Sequence, residues 1–153
     1  MPTKTATRPA TTGQDLVVSL LTVARRLRSR LPEGRIDPAM MFVLHHVQGR
    51  GSLRVSELAG TTGLDTSTAS RHVRQLEQGG YLARTGDPDD RRAFQVRLTR
   101  RGRAALDQAM RARAAVLDRA VADWPSHDRA ALATLMTRLA ESLDRLADNP
   151  ETR

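Results

Sequence analysis

Thr66, Ser67, Thr68, Ser70, Arg71 and Arg74 fall within one short stretch, and Arg91 and Arg92 follow three acids, Asp87, Asp89 and Asp90. Hydroxyls can donate and accept hydrogen bonds, and a guanidinium presents a rigid fork of N–H donors that fits a phosphate or the O6/N7 edge of guanine. None of these groups forms a nucleophile signature. The chemistry they suit is recognition of an anion, not bond making. Elsewhere the sequence has no glycine-rich phosphate loop, no HExxH pair and no cysteine, so no enzyme, cofactor or metal site is expected, and disulfides and thiolate zinc are ruled out. His45 and His46 are adjacent, point to different sides of a helix and have no carboxylate or thiolate at ligand spacing. One of them is expected to be packed and hydrogen-bonded, the other solvated.

The elements that must carry these residues follow from periodicity and capping. Apolar residues at three- and four-residue spacing predict a helix over Gln14–Leu31 that ends at Pro32 and Gly34. Asp37-Pro38 opens a second helix carrying Met40, Met41, Val43, Leu44 and Val47, which stops near Gly49–Gly51. Leu53-Arg54 fits a very short strand. Ser56 is the expected cap of a brief helix, with Gly60–Gly63 as the turn that follows. Asp65 caps the next helix, which ends at Gly79-Gly80. Tyr81–Thr85 and Ala93–Leu98 are strand candidates; in the second, Phe94, Val96 and Leu98 alternate strictly. Thr99 caps a long helix to about Asp123, and after Trp124-Pro125 a last helix, capped by Ser126, runs to Asn149-Pro150. The fold class is mainly α with a small β-hairpin, α+β. Three long amphipathic helices around so small a centre leave more apolar surface than one copy can cover, so a homodimer is expected.

A helical wheel of the fourth helix, at 100° per residue, puts Ala69, Val73 and Leu76 on one buried stripe. Ser67, Arg71, Arg74 and Gln78 fall opposite, with Ser70 and Gln75 at the edges. The outer face thus begins with hydroxyls and continues with guanidinium groups, an order that suits a helix entering a major groove N-terminus first. The hairpin adds Arg91 and Arg92 behind an acidic turn that can brace an arginine toward a narrow minor groove. Helix and hairpin together predict binding to double-stranded nucleic acid.

Charge distribution agrees. The chain is +8 overall, and residues 71–113 hold eleven arginines against five acids, a net of +6, whereas residues 114–153 are at −2. The preference for arginine fits an arginine-favouring genome and phosphate recognition equally well. No apolar run approaches the roughly 20 residues a bilayer span needs. Residues 1–13 read as a disordered lead-in without a signal-peptide core, and a cytoplasmic protein with no membrane partner is expected.

Leu64–Val73, followed by Leu76–Arg84, resembles the recognition helix and second strand of MarR-type transcriptional regulators. Asp87-Pro88-Asp89-Asp90-Arg91-Arg92, Val96–Thr99 and Gly102 resemble that family's wing and the start of its long fifth helix. Gly80 and the Gly60–Gly63 turn are modest departures. The resemblance implies one MarR-like domain over 14–149. Residues 37–102 would be a winged helix-turn-helix lobe, and residues 14–36 and 103–149 a helical dimerisation body. It implies a homodimer on a pseudo-palindromic DNA operator, a repressor released by a small, often aromatic or phenolic, molecule. Matched by position, Thr66, Ser67, Thr68, Ser70, Arg71 and Arg74 would contact DNA from the helix. One of Arg91 and Arg92 would enter the minor groove while the other pairs with an acid such as Asp90, the wing brace. His45 and Met41 are the candidates for the effector site. The alternative is a ligand-independent architectural or protein-interaction module with the same fold, which would bind DNA without sequence preference.

Overall fold

A computed structural model describes residues 12–31, 36–90 and 92–147. Arg91, most of the expected lead-in, and the helix stops expected at Pro32–Gly34 and Asn149-Pro150 lie outside these residues. The chain divides into two compact units, residues 1–32 and 33–153.

The first unit contains helix α1, Gly13–Arg28. Thr12, expected within the lead-in, caps it. The Thr12 hydroxyl accepts the Asp15 N–H and the Asp15 carboxylate accepts the Thr12 N–H, at 3.2 and 2.9 Å. Two otherwise orphaned donors are satisfied in this reciprocal box. Arg25, Arg26 and Arg28 sit in the last turn, where the helix dipole favours cations. Leu16, Val17, Leu20 and Leu21 remain exposed along it.

The second unit runs α2 (Pro38–Arg50), β1 (Ser52–Arg54), α3 (Val55–Thr62), α4 (Thr66–Gln78), β2 (Leu82–Gly86), β3 (Phe94–Leu98), α5 (Arg100–Ala120) and α6 (Ser126–Ala147). The three strands form an antiparallel sheet in the order β1-β3-β2, with Leu53 opposite Val96 and Arg54 opposite Gln95. Two local expectations are corrected. Helix α3 starts directly after β1 with Arg54, not Ser56, as its N-cap residue, because the Glu57 carboxylate accepts the Arg54 N–H at 2.8 Å. It also continues through Gly60 to Thr62 and ends at Gly63, so Gly60 belongs to the helix and not to the turn.

Val43, Leu44 and Val47 of α2 meet Leu58, Val73, Leu76, Leu82, Val96, Leu98 and Leu106 in one core. Each fully buried Leu or Val contributes about 1.5–3 kcal/mol relative to exposure. This core presses α4 and the sheet against α2 and α3 along one side only. The other side of α4 is left to solvent.

The junction into α5 needs two glycines. Gly80, read from sequence as a departure, has φ +71°, a left-handed conformation that side chains other than glycine's resist. Its carbonyl accepts the Thr99 hydroxyl at 2.7 Å, and the same hydroxyl accepts the Gly102 N–H at 2.9 Å. Gly102 lies so near the Tyr81 carbonyl that a Cβ would collide with it. The end of α4 is thereby clamped to the start of α5.

Candidate nucleic-acid interface

The cap of α4 shapes the front of the interface. Asp65 accepts the Thr68 N–H at 2.8 Å, and the Ser67 hydroxyl also donates to it. Those bonds, Ser67's first and Thr68's next, hold the Asp65 carboxyl well below the usual carboxylate range. The helix N-terminus thus carries its own anion. Ser67 spends its proton on Asp65 and retains acceptor capacity, so toward a base edge it is suited to receive a bond.

Along α4, Ala69, Val73 and Leu76 are buried, as the wheel requires. Thr66, Ser67, Arg71, Arg74, Gln75 and Gln78 are exposed; Thr68 and Ser70 are half-buried at the edges. Among the described residues, neither Arg71 nor Arg74 forms an ion pair. Their charge faces outward uncompensated, and their guanidinium donors are open. Arg84 of β2 differs: Glu77 holds it through bonds of 2.7 and 3.2 Å, and it lies 5.8 Å over the Phe94 ring. It ties β2 to the flank of α4.

The wing turn is organised by its first acid. The Asp87 N–H donates to the Ala93 carbonyl at 3.2 Å, and the Ala93 N–H returns to the Asp90 carbonyl at 2.9 Å. The Asp87 side chain is buried. Its Oδ1 accepts the N–H groups of Asp89 and Asp90, at 2.9 and 3.2 Å. Its Oδ2 accepts Arg54 Nε at 2.5 Å and Gln95 Nε2 at 3.2 Å, and Gln95 Oε1 accepts the Ser52 hydroxyl at 2.6 Å. The Arg54 guanidinium, first among these partners, holds the Asp87 carboxyl well below the usual range.

No ion pair joins Asp90, expected from sequence to brace an arginine, to the Arg92 side chain, and Arg91 lies outside the described residues; the Asp90 carboxylate accepts the Arg92 backbone N–H at 2.9 Å. The physical reason is proximity: an Asp side chain readily bonds the backbone two residues on, closing a turn. The guanidinium held by an acid of this turn, among the described residues, belongs to Arg54. The Arg92 side chain is exposed. Arg54, Ser52 and Gln95 had no local signal in the sequence; their association with Asp87 depends on the β1–β3 register.

On α2, His46 is half-buried with Nδ1 3.0 Å from the Phe42 carbonyl, and His45 is exposed. Met40 and Met41 pack partly buried against the core, while Phe42 is exposed, its ring inclined at 62° to that of His46 with centroids 4.2 Å apart. No group of His, Asp and Glu among the described residues could hold a metal ion. No helix is long and apolar enough to cross a membrane among the described residues.

Comparison with known proteins places this geometry. Residues 36–93 match the sequence model of the MarR family. The chain is 26% identical over 134 residues to the HTH-type transcriptional repressor MdtR of Bacillus subtilis, covering 85% of this chain and 86% of the relative. The crystal structure of YusO from Bacillus subtilis shares 26% identity with a TM-score of 0.65, over 84% of this chain and 94% of that one. The fold is also that of BpsR from Bordetella bronchiseptica, a protein whose DNA binding is regulated by 6-hydroxynicotinic acid. That likeness is 21% in sequence with a TM-score of 0.70, over 86% of this chain and 94% of BpsR.

Proposed function

We propose that this chain, whose residues 36–93 match the MarR-family model, is a member of that family and a sequence-specific regulator of transcription that binds double-stranded DNA as a homodimer. One observation carries the reading. Helix α4 buries Ala69, Val73 and Leu76 while presenting Thr66, Ser67, Arg71 and Arg74 to solvent with no competing ion pair among the described residues. A major groove admits a helix with such a face, hydroxyls in front and forks behind. Thr68 and Ser70 would reach the groove walls, and the wing, with Arg92 and its neighbour Arg91, would follow the backbone into the adjacent minor groove.

Dimerisation is supported by the apolar stripes of two helices. Leu132, Leu135, Met136, Leu143 and Leu146 are exposed on α6, as are Leu16, Val17, Leu20 and Leu21 on α1. Residues 14–36 and 103–149 would form the paired body and 37–102 the DNA-binding lobe. A two-fold pair of readers requires a pseudo-palindromic operator with half-sites about one helical turn apart, roughly 34 Å. Repression is the reading favoured by likeness to MdtR, and release by a small aromatic anion by likeness in fold to BpsR. Such a ligand acts only by binding the DNA-competent and released spacings with different affinity. Met41 and His45 on α2 are its candidate contacts.

The test is selection of duplexes from a random-sequence library, followed by competition binding. A specific regulator prefers its selected site over random DNA by about 10³ or more. An equal affinity for both would leave an architectural DNA-binding module instead.

A further inference from the structure

The two DNA-facing parts of the lobe, helix α4 and the wing, are separate pieces of chain, and something must set the distance between them. We propose that Arg54 is the positioning residue that fixes the wing relative to the α3–α4 pair, acting through Asp87 and Gln95 without itself touching DNA. This rests on the reading of the lobe as a DNA-binding device.

Arg54 sits where two constraints meet. Its backbone N–H is bound by Glu57 at the start of α3, so its Cα is fixed to the first helix of the helix-turn-helix. Its side chain reaches the base of the wing, where Nε donates to Asp87 Oδ2 at 2.5 Å. In the β1–β3 register Arg54 lies opposite Gln95, which places the second donor, Gln95 Nε2, beside the same carboxylate oxygen. Ser52, two residues before Arg54, orients that amide through Gln95 Oε1. Two side-chain donors from neighbouring strands therefore converge on one oxygen.

The other Asp87 oxygen shapes the turn itself through the N–H groups of Asp89 and Asp90, and Asp90 in turn holds the Arg92 N–H. A continuous chain of bonds thus leads from the cap of α3 to the backbone that carries Arg92. A buried carboxylate left without its cation is strongly disfavoured. If Arg54 is removed, Asp87 must turn outward to water, and the turn that hangs on it must open. The consequence falls on Arg92, at the wing, while the buried stripe of α4 is untouched. Charge points the same way: Arg54 is already paired with an acid, so it adds little net attraction for phosphate.

The decisive experiment is a double-mutant cycle of Arg54→Gln and Arg92→Ala. Binding is measured on a duplex that the wild-type protein selects from a random library, with hydroxyl-radical footprinting for the minor groove and dimethyl sulfate footprinting of guanine N7 for the major groove. If Arg54 acts through the wing, Arg54→Gln removes protection of the minor groove while keeping that of the major groove. In the Arg92→Ala background it then lowers affinity by no more than about twofold further, the margin within which independent effects are resolved. The pair Arg54→Gln with Asp87→Asn, neutral in charge, reproduces the altered footprint. Losses that multiply across the cycle, or an unchanged minor-groove footprint in a folded Arg54→Gln protein, would overturn the proposal. If Arg54→Gln does not fold by circular dichroism, Arg54→Lys enters the same cycle, since it keeps the charge but not the Nε geometry. Failure of the wild-type protein to select any duplex would instead refute the DNA-binding reading itself.

Discussion

Replacing Arg74 with alanine separates binding from folding. The side chain is exposed on the outer face of α4 and has no ion-pair partner among the described residues. Arginine and alanine are both good helix formers. A surface change of this kind moves stability by no more than about 0.5 kcal/mol. Binding is another matter. If the guanidinium forks onto guanine O6 and N7, its loss costs about 1–3 kcal/mol per half-site, a factor of roughly five to 150 at about 1.4 kcal/mol per decade. If it lies on a phosphate, the slope of log affinity against log salt falls by about 0.9 per half-site, with little effect on sequence preference. Anisotropy titrations of the selected duplex at several salt concentrations distinguish these cases, and thermal unfolding of the same preparation checks the fold. An Arg74→Ala protein with wild-type affinity, wild-type salt slope and an unchanged melting temperature would refute the assignment of this face.

Three further predictions follow from the clamp, the turn and the stripes. Gly102→Ala forces a methyl group against the Tyr81 carbonyl and should destabilise the lobe by about 1–3 kcal/mol, as overpacking does; an unchanged melting temperature would show that α5 can slide. Asp87 has a carboxyl lowered in the folded state by Arg54 and by its N–H donors, so its contribution is present above the unfolded carboxylate pKa, near 3.9, and is lost as pH falls through the folded value. Wild-type stability should therefore decline as pH is lowered below about 5, and Asp87→Asn should flatten that decline while lowering stability at neutral pH. Leu135→Glu with Leu143→Glu places charges on the exposed stripe of α6 and should shift sedimentation from dimer to monomer, with DNA binding lost alongside; a persistent dimer would exclude α6 from the interface.

Much of this lobe was legible in the residue order. The spacing of Ala69, Val73 and Leu76 is a local property, and it alone decides which face of α4 turns outward. Asp65, Asp37 and Thr99 cap the helices they precede because a short acceptor side chain needs only the N–H three residues on. What escaped the sequence was non-local or conformational. Arg54 and Asp87 meet because β1 lies against β3, and nothing in either neighbourhood announces that register. Asp90 bonds the Arg92 backbone, a contact that turn chemistry makes and a search for charge pairs does not reveal. Gly80 seemed a free choice until its φ of +71° showed that the backbone demands it. Thr12 was grouped with a polar lead-in, although Asp15 three residues later completes a capping box.

The claim on which all else depends is that the outer face of α4 lies in the major groove. The chain has no cysteine, so Arg71→Cys supplies a unique attachment point for an iron-EDTA cleavage group. Bound to the selected duplex, that protein should cut DNA from the major groove at two places about 10 base pairs apart, one for each half-site. Cleavage no stronger than from the same group attached through Arg129→Cys on α6, or scattered evenly along the duplex, would contradict the account.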